Sequence, residues 1–364
     1  MEETSKIYVA GHTGLVGSAL VRKLQSEGYT NLITRTHAEL NLTRQDEVEA
    51  FFDQERPDYV FLAAARVGGI LANSAYKAEF IYDNIIIAAN VIHSAHKYGV
   101  KKLLNLGSSC IYPKFAPQPM KEEYLLTGPL EPTNEPYAIA KISAIKLCRY
   151  HNEQYGTNFI SVMPTNLYGP NDNFDLQTSH VLPALIRKMH LGKCLSDANF
   201  QVVKKDLEKY PLKGFDVSLA TEKNIAEKLS LCGIKTDYTS RLTPHASGSA
   251  VVHLWGSGSP YREFLHVDDL ARACLFLMEN YNFKDVGEFI NIGTGNDITL
   301  RDLANMTKEM VGFQGDIKWD SDKPDGAPRK LLEVSKIKSL GWIPKIALEE
   351  GIRRTYEWYR SQSE

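Results

Sequence analysis

The 364-residue chain lacks any apolar run long enough to cross a bilayer, and it has almost no excess of one charge. A membrane-spanning helix needs about 20 consecutive apolar residues. The formal net charge of −2, from 42 basic and 44 acidic residues, gives no field that would attract nucleic acid or an anionic membrane. Residues 1–6 have none of the features of a signal peptide. The sequence therefore predicts a globular protein with neither nucleic acid nor a membrane as its partner.

Cysteine is scarce and shows no metal-binding spacing. The five cysteines are scattered, with no Cys-x-x-Cys pair and no Cys/His cluster: Cys110, Cys148, Cys194, Cys232 and Cys274. We therefore predict no zinc or other metal site. An odd number of dispersed thiols is typical of a reducing compartment, so we expect a cytoplasmic protein. For four of them the simplest interpretation is a small buried residue, whereas Cys110 stands at a strand end.

A glycine-rich turn follows the first predicted strand. Residues 6–10 form an apolar run, glycine occupies positions 11, 14 and 17, and a helical pattern begins at Ser18. Glycines at this spacing permit a tight turn, close approach of a pyrophosphate, and close packing of helix on strand. The N–H groups that begin the helix then face the phosphates. Such a turn occurs in many α/β proteins, but its place between the first strand and the first helix favours a dinucleotide site.

Strand and helix patterns alternate through the first half of the chain. Strands are predicted at 31–35, 58–63, 102–106 and 159–163, and helices at 43–55 with Thr43 as the cap, at 80–97 and at 137–155. This alternation predicts an α/β fold, a doubly wound parallel sheet of Rossmann type with a smaller C-terminal substrate-binding domain. We expect the cofactor domain at 1–170, with return segments near 264–295. The substrate domain then comprises 171–263 and 296–364.

Tyr137 and Lys141 stand four residues apart on one predicted helix face, and Ser108 ends a predicted strand. An ammonium beside a phenol favours the phenolate, so we expect Lys141 to lower the pKa of Tyr137. A phenol tuned in this way exchanges a proton with a sugar or alcohol oxygen, and Ser108 can share that oxygen. The pattern predicts carbonyl–alcohol redox chemistry next to a nicotinamide.

The segment 195–251 is polar and irregular, with one predicted helix at 221–231 that Thr221 caps. The simplest interpretation is an ordered surface excursion of the substrate domain. A lid over the nucleotide and a contact between subunits remain open alternatives. Helices are also predicted at 181–191, 298–311 and 348–359.

Six longer motifs resemble those of the extended short-chain dehydrogenase/reductases and, within them, the GDP-L-fucose synthases. They span residues 62–70, 107–113, 131–141, 163–170, 262–269 and 323–330. The resemblance covers nearly the whole chain outside 195–251. It implies an NADP-dependent 3,5-epimerase/4-reductase that acts on GDP-4-keto-6-deoxy-D-mannose, and it implies a homodimer.

The resemblance also implies roles for individual residues. Ser108, Tyr137 and Lys141 would form the reductase triad, with Cys110 and His180 as the base and acid of epimerisation. The NADP(H) contacts would be Gly11, His12, Thr13, Gly14, Leu15, Val16, Gly17, Arg35, His37, Leu106, Gly107, Ser108, Ser109, Lys141, Pro164, Thr165, Asn166, Leu167 and His180. The nucleotide sugar would contact Lys188, Trp255, Arg262 and Asp325.

The chain departs from the family pattern at Thr13, where many members carry arginine. Arg35 remains as a cation for a 2′-phosphate, and no acid occurs at 35–37 to favour NAD. Ser109 and Cys110 stand where the related 4,6-dehydratases carry acidic residues, which disfavours dehydration. A redox-sensing binding module is also disfavoured, because such proteins lose the catalytic tyrosine and lysine.

Simpler interpretations stay open for several of these residues. Cys110 fits a packed thiol on spacing alone, and His180 fits a helix cap or a surface residue. Trp255 fits a core aromatic, although its glycine neighbours favour an exposed loop where the ring could flank guanine. Lys188 and Arg262 fit solvated charges, but a diphosphate needs cations, and arginine gives bidentate contact.

Overall fold

A computed structural model describes residues 1–68, 75–236, 249–323 and 325–363. The motif at 62–70 and the segment at 195–251 extend partly outside the described residues, and so does the motif at 323–330, through Pro324. The chain forms two compact units. Unit 1 comprises Met1–Asn171, Glu263–Asp297 and Lys330–Ile346, and unit 2 comprises Asp172–Arg262, Ile298–Arg329 and Ala347–Glu364.

The described helices and strands have the following bounds. The helices are α1 (Leu15–Ser26), α2 (Gln45–Glu55), α3 (Lys77–Lys97), α4 (Glu135–Tyr155), α5 (Val181–Ser196), α6 (Phe200–Lys209), α7 (Glu222–Leu231), α8 (Val267–Asn280), α9 (Phe283–Val286), α10 (Leu300–Val311), α11 (Ser335–Ser339) and α12 (Leu348–Ser363). The strands are β1 (Ile7–Ala10), β2 (Leu32–Ile33), β3 (Tyr59–Leu62), β4 (Lys102–Leu106), β5 (Phe159–Pro164), β6 (Asn166–Tyr168), β7 (Ile234–Thr236), β8 (Ala250–Trp255), β9 (Tyr261–His266), β10 (Ile290–Ile292), β11 (Asp297–Thr299), β12 (Asp316–Asp320) and β13 (Arg329–Lys330).

The main sheet of unit 1 has the strand order β10-β5-β4-β3-β1-β2, and every pairing is parallel. The interior strands β1, β4 and β5 are buried along their whole length, as expected of a parallel sheet covered on both faces. The chain leaves β1 towards β2 and then returns to the other side of β1 at β3. The strand order therefore reverses between β1 and β3, where ligands of such sheets bind.

Two apolar clusters fill the two faces of this sheet. One includes Leu20 and Leu24 of α1 together with residues of α8, and the other includes Phe52 of α2 and Val91 of α3. The predicted doubly wound α/β fold is confirmed, and so is the predicted return of residues near 290 to the sheet, as β10 beside β5.

Unit 2 contains a three-stranded sheet with the order β12-β8-β7. Strands β8 and β12 are parallel, while β7 runs antiparallel to β8. Helices α5, α6 and α7 share an apolar cluster that includes Leu191, Val203, Leu207, Ile225 and Leu229. The segment around 200–236 is therefore a folded part of unit 2 with a core of its own.

Several local predictions were wrong. Thr43 does not cap α2: Arg44 is at the cap position, and the Thr43 hydroxyl donates to Asn41 at 2.8 Å. Helix α6 was not predicted at all. Residues 330–346 were assigned to the smaller domain but lie in unit 1, because Leu332 and Trp342 belong to its core.

None of the described helices is both long enough and apolar enough to span a bilayer.

Candidate active site

The glycine turn joins β1 to α1 in a conformation that requires glycine at two positions. Gly11 has φ +83°, and a Cβ there would lie 2.7 Å from the backbone nitrogen of Ala64, just after β3. A Cβ on Gly17 would lie 2.0 Å from the Gly11 carbonyl oxygen, so α1 packs directly against the turn. A Cβ on Gly14 would make only an ordinary contact at 3.6 Å. Gly11 and Gly17 therefore shape the turn, while Gly14 leaves its outer surface open.

The start of α1 fits a dinucleotide phosphate. Gly14 occupies the N-cap position, and no side chain accepts a hydrogen bond from the first N–H groups of the helix. In the part of the chain that the structure describes, the buried Nδ1 of His12 has no hydrogen-bond partner. Thr13 is exposed, and Leu15 and Val16 form the first turn of α1. Free donors and a positive helix end are the features that bind a pyrophosphate.

The residues after β2 include the cation predicted to contact a 2′-phosphate, Arg35. Arg35 is half-buried, donates to Glu55 at 2.7 Å, and lies 5.6 Å from the Phe51 ring centroid. His37 is exposed on the same loop. Arg35 is thus held beside β2 by its ion pair with Glu55, by a hydrogen bond to the Thr34 carbonyl at 2.9 Å and by the Phe51 ring.

The ends of β4 and β5 place two further groups of predicted cofactor residues side by side. Gly107 donates to the Val162 carbonyl at 2.8 Å, and a Cβ on Gly107 would collide with the Met163 side chain. Leu106 ends β4, Pro164 ends β5, and Thr165, Asn166 and Leu167 follow into β6. The loops after β4 and β5 therefore both leave the sheet at the carboxyl ends of its parallel strands, which is where cofactors bind in this architecture.

Ser108 and Cys110 lie in a short 3₁₀ turn directly after β4. The Cys110 N–H donates to the Ser108 hydroxyl at 3.3 Å, and Ser109 lies between them. Cys110 is 9% exposed. Burial raises the pKa of the Cys110 thiol, whereas the Ser108 hydroxyl and the charges of Lys330 and Lys141 act in the opposite direction. The thiol is a weak acid with two cations near enough to favour its thiolate.

Tyr137 and Lys141 lie on one face of α4, as the spacing predicted. The Lys141 ammonium donates to the Leu106 carbonyl at 2.7 Å and lies 5.6 Å from the Tyr137 ring centroid. Burial lowers the pKa of Lys141 to about 8. Burial also raises the pKa of Tyr137, with a further increase from Cys110. The expectation that Lys141 lowers the pKa of this phenol was wrong, because withdrawal from water disfavours the phenolate and the charge of Cys110 acts in the same direction.

His180 lies in unit 2, at the N-cap position of α5. The residue as a whole is exposed and makes no cap hydrogen bond to the helix, but its imidazole is sufficiently withdrawn from water that burial lowers its pKa. The preceding loop is held by Asp175, which accepts hydrogen bonds from Gln177 and from both the N–H and the hydroxyl of Thr178. Among the described residues, the Ser179 hydroxyl beside His180 is buried without a partner. The helix is thus preceded by an ordered turn that presents an imidazole.

The four predicted substrate residues all lie in unit 2, around the end of β8. Lys188 of α5 donates to the His253 carbonyl at 3.3 Å, and Trp255, 61% exposed, ends the same strand. Asp325 accepts hydrogen bonds from the N–H and the hydroxyl of Ser257, at 2.9 and 2.6 Å. Burial lowers the pKa of Arg262, while Asp325 raises it. Unit 2 therefore holds two cations and an open indole near one strand end.

Sequence reasoning missed Glu263 and Ser257. Glu263 is fully buried and accepts backbone hydrogen bonds from Thr294, Gly295 and Leu332, while its own carbonyl accepts from Asn166 at 2.8 Å. It ties the loop after β5 to the segments after β10. The available signal was an acidic residue directly before the apolar pair Phe264 and Leu265. Ser257 had no comparable signal, because its partner Asp325 lies 68 residues away.

Three kinds of similarity to known proteins accompany this geometry. The sequence profile of the NAD dependent epimerase/dehydratase family matches residues 7–210 and 235–293. GDP-L-fucose synthase 1 of Arabidopsis thaliana is 52% identical over 358 residues, covering 98% of this chain and 94% of that protein.

Two solved structures were also compared. MlghC, a GDP-mannoheptose C4 reductase from Campylobacter jejuni with NADP bound, shares 42% identity and a TM-score of 0.83, and the match covers 99% of each chain. A GDP-L-fucose synthetase from Naegleria fowleri bound to NADP shares 25% identity and a TM-score of 0.76, with 99% of this chain and 95% of that one covered.

Proposed function

Because the chain belongs to the NAD dependent epimerase/dehydratase family, we propose that it converts GDP-4-keto-6-deoxy-D-mannose to GDP-L-fucose. The reaction comprises epimerisation at C3 and C5 followed by reduction of the 4-ketone, with NADP(H) as the cofactor. The observation that carries the proposal is the convergence of Ser108, Cys110, Tyr137 and Lys141 at the end of β4. Relatives whose names specify this activity support it, at identities up to 52%.

The same oxygen-binding groups serve both halves of the reaction. The protons on C3 and C5 are acidic because each carbon is adjacent to the C4 carbonyl. Cys110 as thiolate removes a carbon-bound proton, the electron pair moves to the C4 oxygen, and Ser108 and Tyr137 stabilise that enolate. His180 then donates a proton to the opposite face of the carbon, which inverts the centre.

Reduction uses the triad in a second way. When bound, NADPH supplies the hydride that adds to C4. Tyr137 gives its phenolic proton to the C4 oxygen, and the raised pKa of Tyr137 keeps that proton in place at neutral pH. Lys141 donates to the Leu106 carbonyl, and this hydrogen bond fixes its ammonium beside the loop after β4. The cofactor contacts of the chain would be the α1 start, Arg35 and the loops after β4 and β5.

The nucleotide half of the substrate would contact unit 2. Lys188 and Arg262 neutralise the diphosphate, and the exposed Trp255 ring flanks guanine. Asp325 would accept hydrogen bonds from the substrate in addition to those from Ser257. The family resemblance implies these assignments, and charge and exposure support them, since a diphosphate requires cations and a base requires a flat apolar surface.

We also propose a cytoplasmic homodimer. The cysteines are all free thiols, which fits a reducing compartment. Helices α3 and α4 pack on each other in unit 1 and expose Tyr82, Ile139 and Tyr150 at 65%, 37% and 54%. Exposed apolar groups on two adjacent long helices are the kind of surface that a second copy of the chain covers.

A second candidate is reduction of a GDP-4-keto-heptose without epimerisation. The similarity to the Campylobacter jejuni GDP-mannoheptose C4 reductase, at 42% identity over nearly the whole chain, favours it. Both candidates share the Ser108, Tyr137 and Lys141 triad, so only the substrate and the use of Cys110 and His180 separate them.

Product analysis by NMR tests the proposal. The protein is incubated with NADPH in heavy water and with GDP-4-keto-6-deoxy-D-mannose or a GDP-4-keto-heptose. We expect GDP-L-fucose with deuterium at C3 and C5. Reduction of the heptose alone, without deuterium in the ring, would establish the second candidate instead. Binding of NADPH with no turnover of either sugar would contradict both.

A further inference from the structure

Residues 211–234 lie outside the family profile match, yet they fold against a predicted substrate residue. This stretch contains α7 and the turn Cys232–Gly233, which leads into β7. Strand β7 pairs antiparallel with β8, with Ile234 opposite Val252 and Thr236 opposite Ala250. Strand β7 therefore extends the same small sheet that carries His253 and Trp255.

His253 contacts both the segment 211–234 and Lys188. The His253 N–H donates to the Gly233 carbonyl at 2.7 Å, and the His253 carbonyl accepts from the Lys188 ammonium at 3.3 Å. A Cβ on Gly233 would lie 2.9 Å from that carbonyl oxygen and 3.3 Å from the Lys188 nitrogen. Gly233 thus lies directly beside the ammonium. Only a glycine at this position leaves room for the hydrogen bond between Lys188 and the His253 carbonyl.

The base of the Lys188 side chain is fixed as well. Its neighbour Arg187 is fully buried and donates to Asp206 of α6 at 2.8 and 2.9 Å, and to the carbonyls of Phe174 and Tyr210. These contacts set the rotation of α5 about its axis. Because successive helical residues are separated by a fixed rotation, the direction in which Lys188 leaves the helix is set too.

We propose that the turn Cys232–Gly233 is a positioning element for Lys188 and so determines the affinity for the diphosphate of the nucleotide sugar. The inference rests on the proposed role of Lys188 in binding that diphosphate. A free lysine loses much rotamer freedom when it binds an anion. Here one N–H is engaged by His253, and among the described residues the ammonium has no other hydrogen-bond partner, so two donors can serve phosphate oxygens. Ordering the side chain in advance lowers the cost of binding.

The charge of the side chain at position 232 also affects the Lys188 ammonium. Burial raises the pKa of its thiol, while Lys188 acts in the opposite direction, so the two groups interact. A neutral thiol leaves the positive charge of Lys188 available to the substrate. A carboxylate at the same position would pair with the ammonium and compete with the diphosphate.

The matched pair Gly233→Ala and Gly214→Ala tests the proposal. Both glycines belong to the same segment and have positive φ, +84° and +68°, but a Cβ on Gly214 would have no neighbour within 4 Å. Both variants therefore carry similar backbone strain, and only the first disturbs Lys188. We expect Gly233→Ala to raise KM for the nucleotide sugar about tenfold with little change in kcat or in KM for NADPH. Equal KM values for the two variants would overturn the proposal.

A charge variant keeps the test decisive if Gly233→Ala does not fold. Cys232→Asp should raise KM for the nucleotide sugar, whereas Leu219→Asp, at a side chain 84% exposed in the same segment, should not. Equal effects would again count against the proposal. Lys188→Met separates the two levels of inference. If its KM is unchanged, the assignment of Lys188 to the substrate fails. If its KM rises while Gly233→Ala and Cys232→Asp behave as the wild type, only the positioning role fails.

Discussion

Tyr137 is held as a neutral phenol, and this suits a residue whose role is to give up a proton. Burial raises its pKa, so the neutral phenol predominates, and burial lowers the pKa of Lys141 to about 8, which still leaves that ammonium mostly protonated at neutral pH. In a reductive reaction the developing charge lies on the C4 oxygen. A protonated phenol beside that oxygen is therefore the reactive form, and a preformed phenolate is not required.

Replacing Tyr137 by phenylalanine should abolish reduction while leaving the site intact. The ring and its packing stay, and only the proton donor is lost, so kcat for NADPH oxidation should fall by about 10²–10⁴-fold. Stopped-flow absorbance of NADPH measures this, and fluorescence titration of NADPH serves as the folding control. A variant that still reduces the ketone at the wild-type rate would remove Tyr137 from the mechanism.

Cys110 should control a different step with a different pH dependence. The base is the thiolate, and burial raises the pKa of this thiol, so the thiolate fraction at neutral pH is small and grows as the pH rises. Deuterium exchange at C3 and C5 should therefore accelerate from pH 7 upwards, until the raised pKa is passed. Cys110→Ala should eliminate this exchange, as followed by NMR in heavy water. Exchange that is flat with pH, or that persists in the variant, would exclude the thiol as the base.

At the scale of single elements, the glycines of the β1–α1 turn have two different roles, packing and predicted phosphate binding. Gly17 allows α1 to pack against the Gly11 carbonyl. Gly14, at the N-cap of the same helix, has room for a Cβ atom. The two glycines look equivalent in the sequence motif, yet their surroundings differ. One supports packing within unit 1 and the other borders the predicted phosphate site.

Alanine substitutions at these glycines should have opposite signatures. Gly17→Ala forces the backbone apart and should lower the free energy of unfolding by about 1–3 kcal/mol. Gly14→Ala should leave thermal unfolding nearly unchanged but weaken NADPH binding, because its methyl group occupies the phosphate surface. Calorimetry and NADPH titration on both variants check this. A stable Gly17→Ala protein with normal NADPH affinity would contradict the packing argument.

Elements with a local signal could be predicted, and those that depend on distant partners could not. The bounds of β4 and the capping of α7 by Thr221 follow from adjacent residues, and both agree with the structure. Helix α6 was missed because its buried face includes Asp206, whose charge breaks the apolar period. That residue is buried only because Arg187 and Tyr359 bind it. Similarly, the Ser257–Asp325 contact of the site joins residues that no local pattern connects.

At the scale of the whole molecule, exposed apolar side chains bear on whether the chain forms a dimer. Tyr82 of α3 and Ile139 and Tyr150 of α4 are exposed apolar side chains on two helices that pack together. Leu231, 84% exposed in α7, is a comparable apolar group on unit 2. If a second copy of the chain covers the exposed side chains of α3 and α4, an aspartate at position 139 should disrupt the assembly, and an aspartate at position 231 should not.

Ile139→Asp should therefore convert the protein to a monomer, because it places a charge within the predicted contact. Leu231→Asp is the matched control and should remain dimeric. Sedimentation velocity measures both, and circular dichroism confirms that each variant is folded. A dimer that survives Ile139→Asp would move the contact elsewhere, and a monomeric wild type would exclude it.

The main sheet has its shortest strands at its two margins: β2 has two residues and β10 has three, whereas β5, inside, has six. The β10 margin is also blocked, since the N–H of Asn291 donates to Glu122, and the Asn291 amide donates to the carbonyls of Met120 and Glu333. Few main-chain groups are left for a foreign strand to pair with. The native protein should accordingly resist fibril-like aggregation when it is crowded or concentrated.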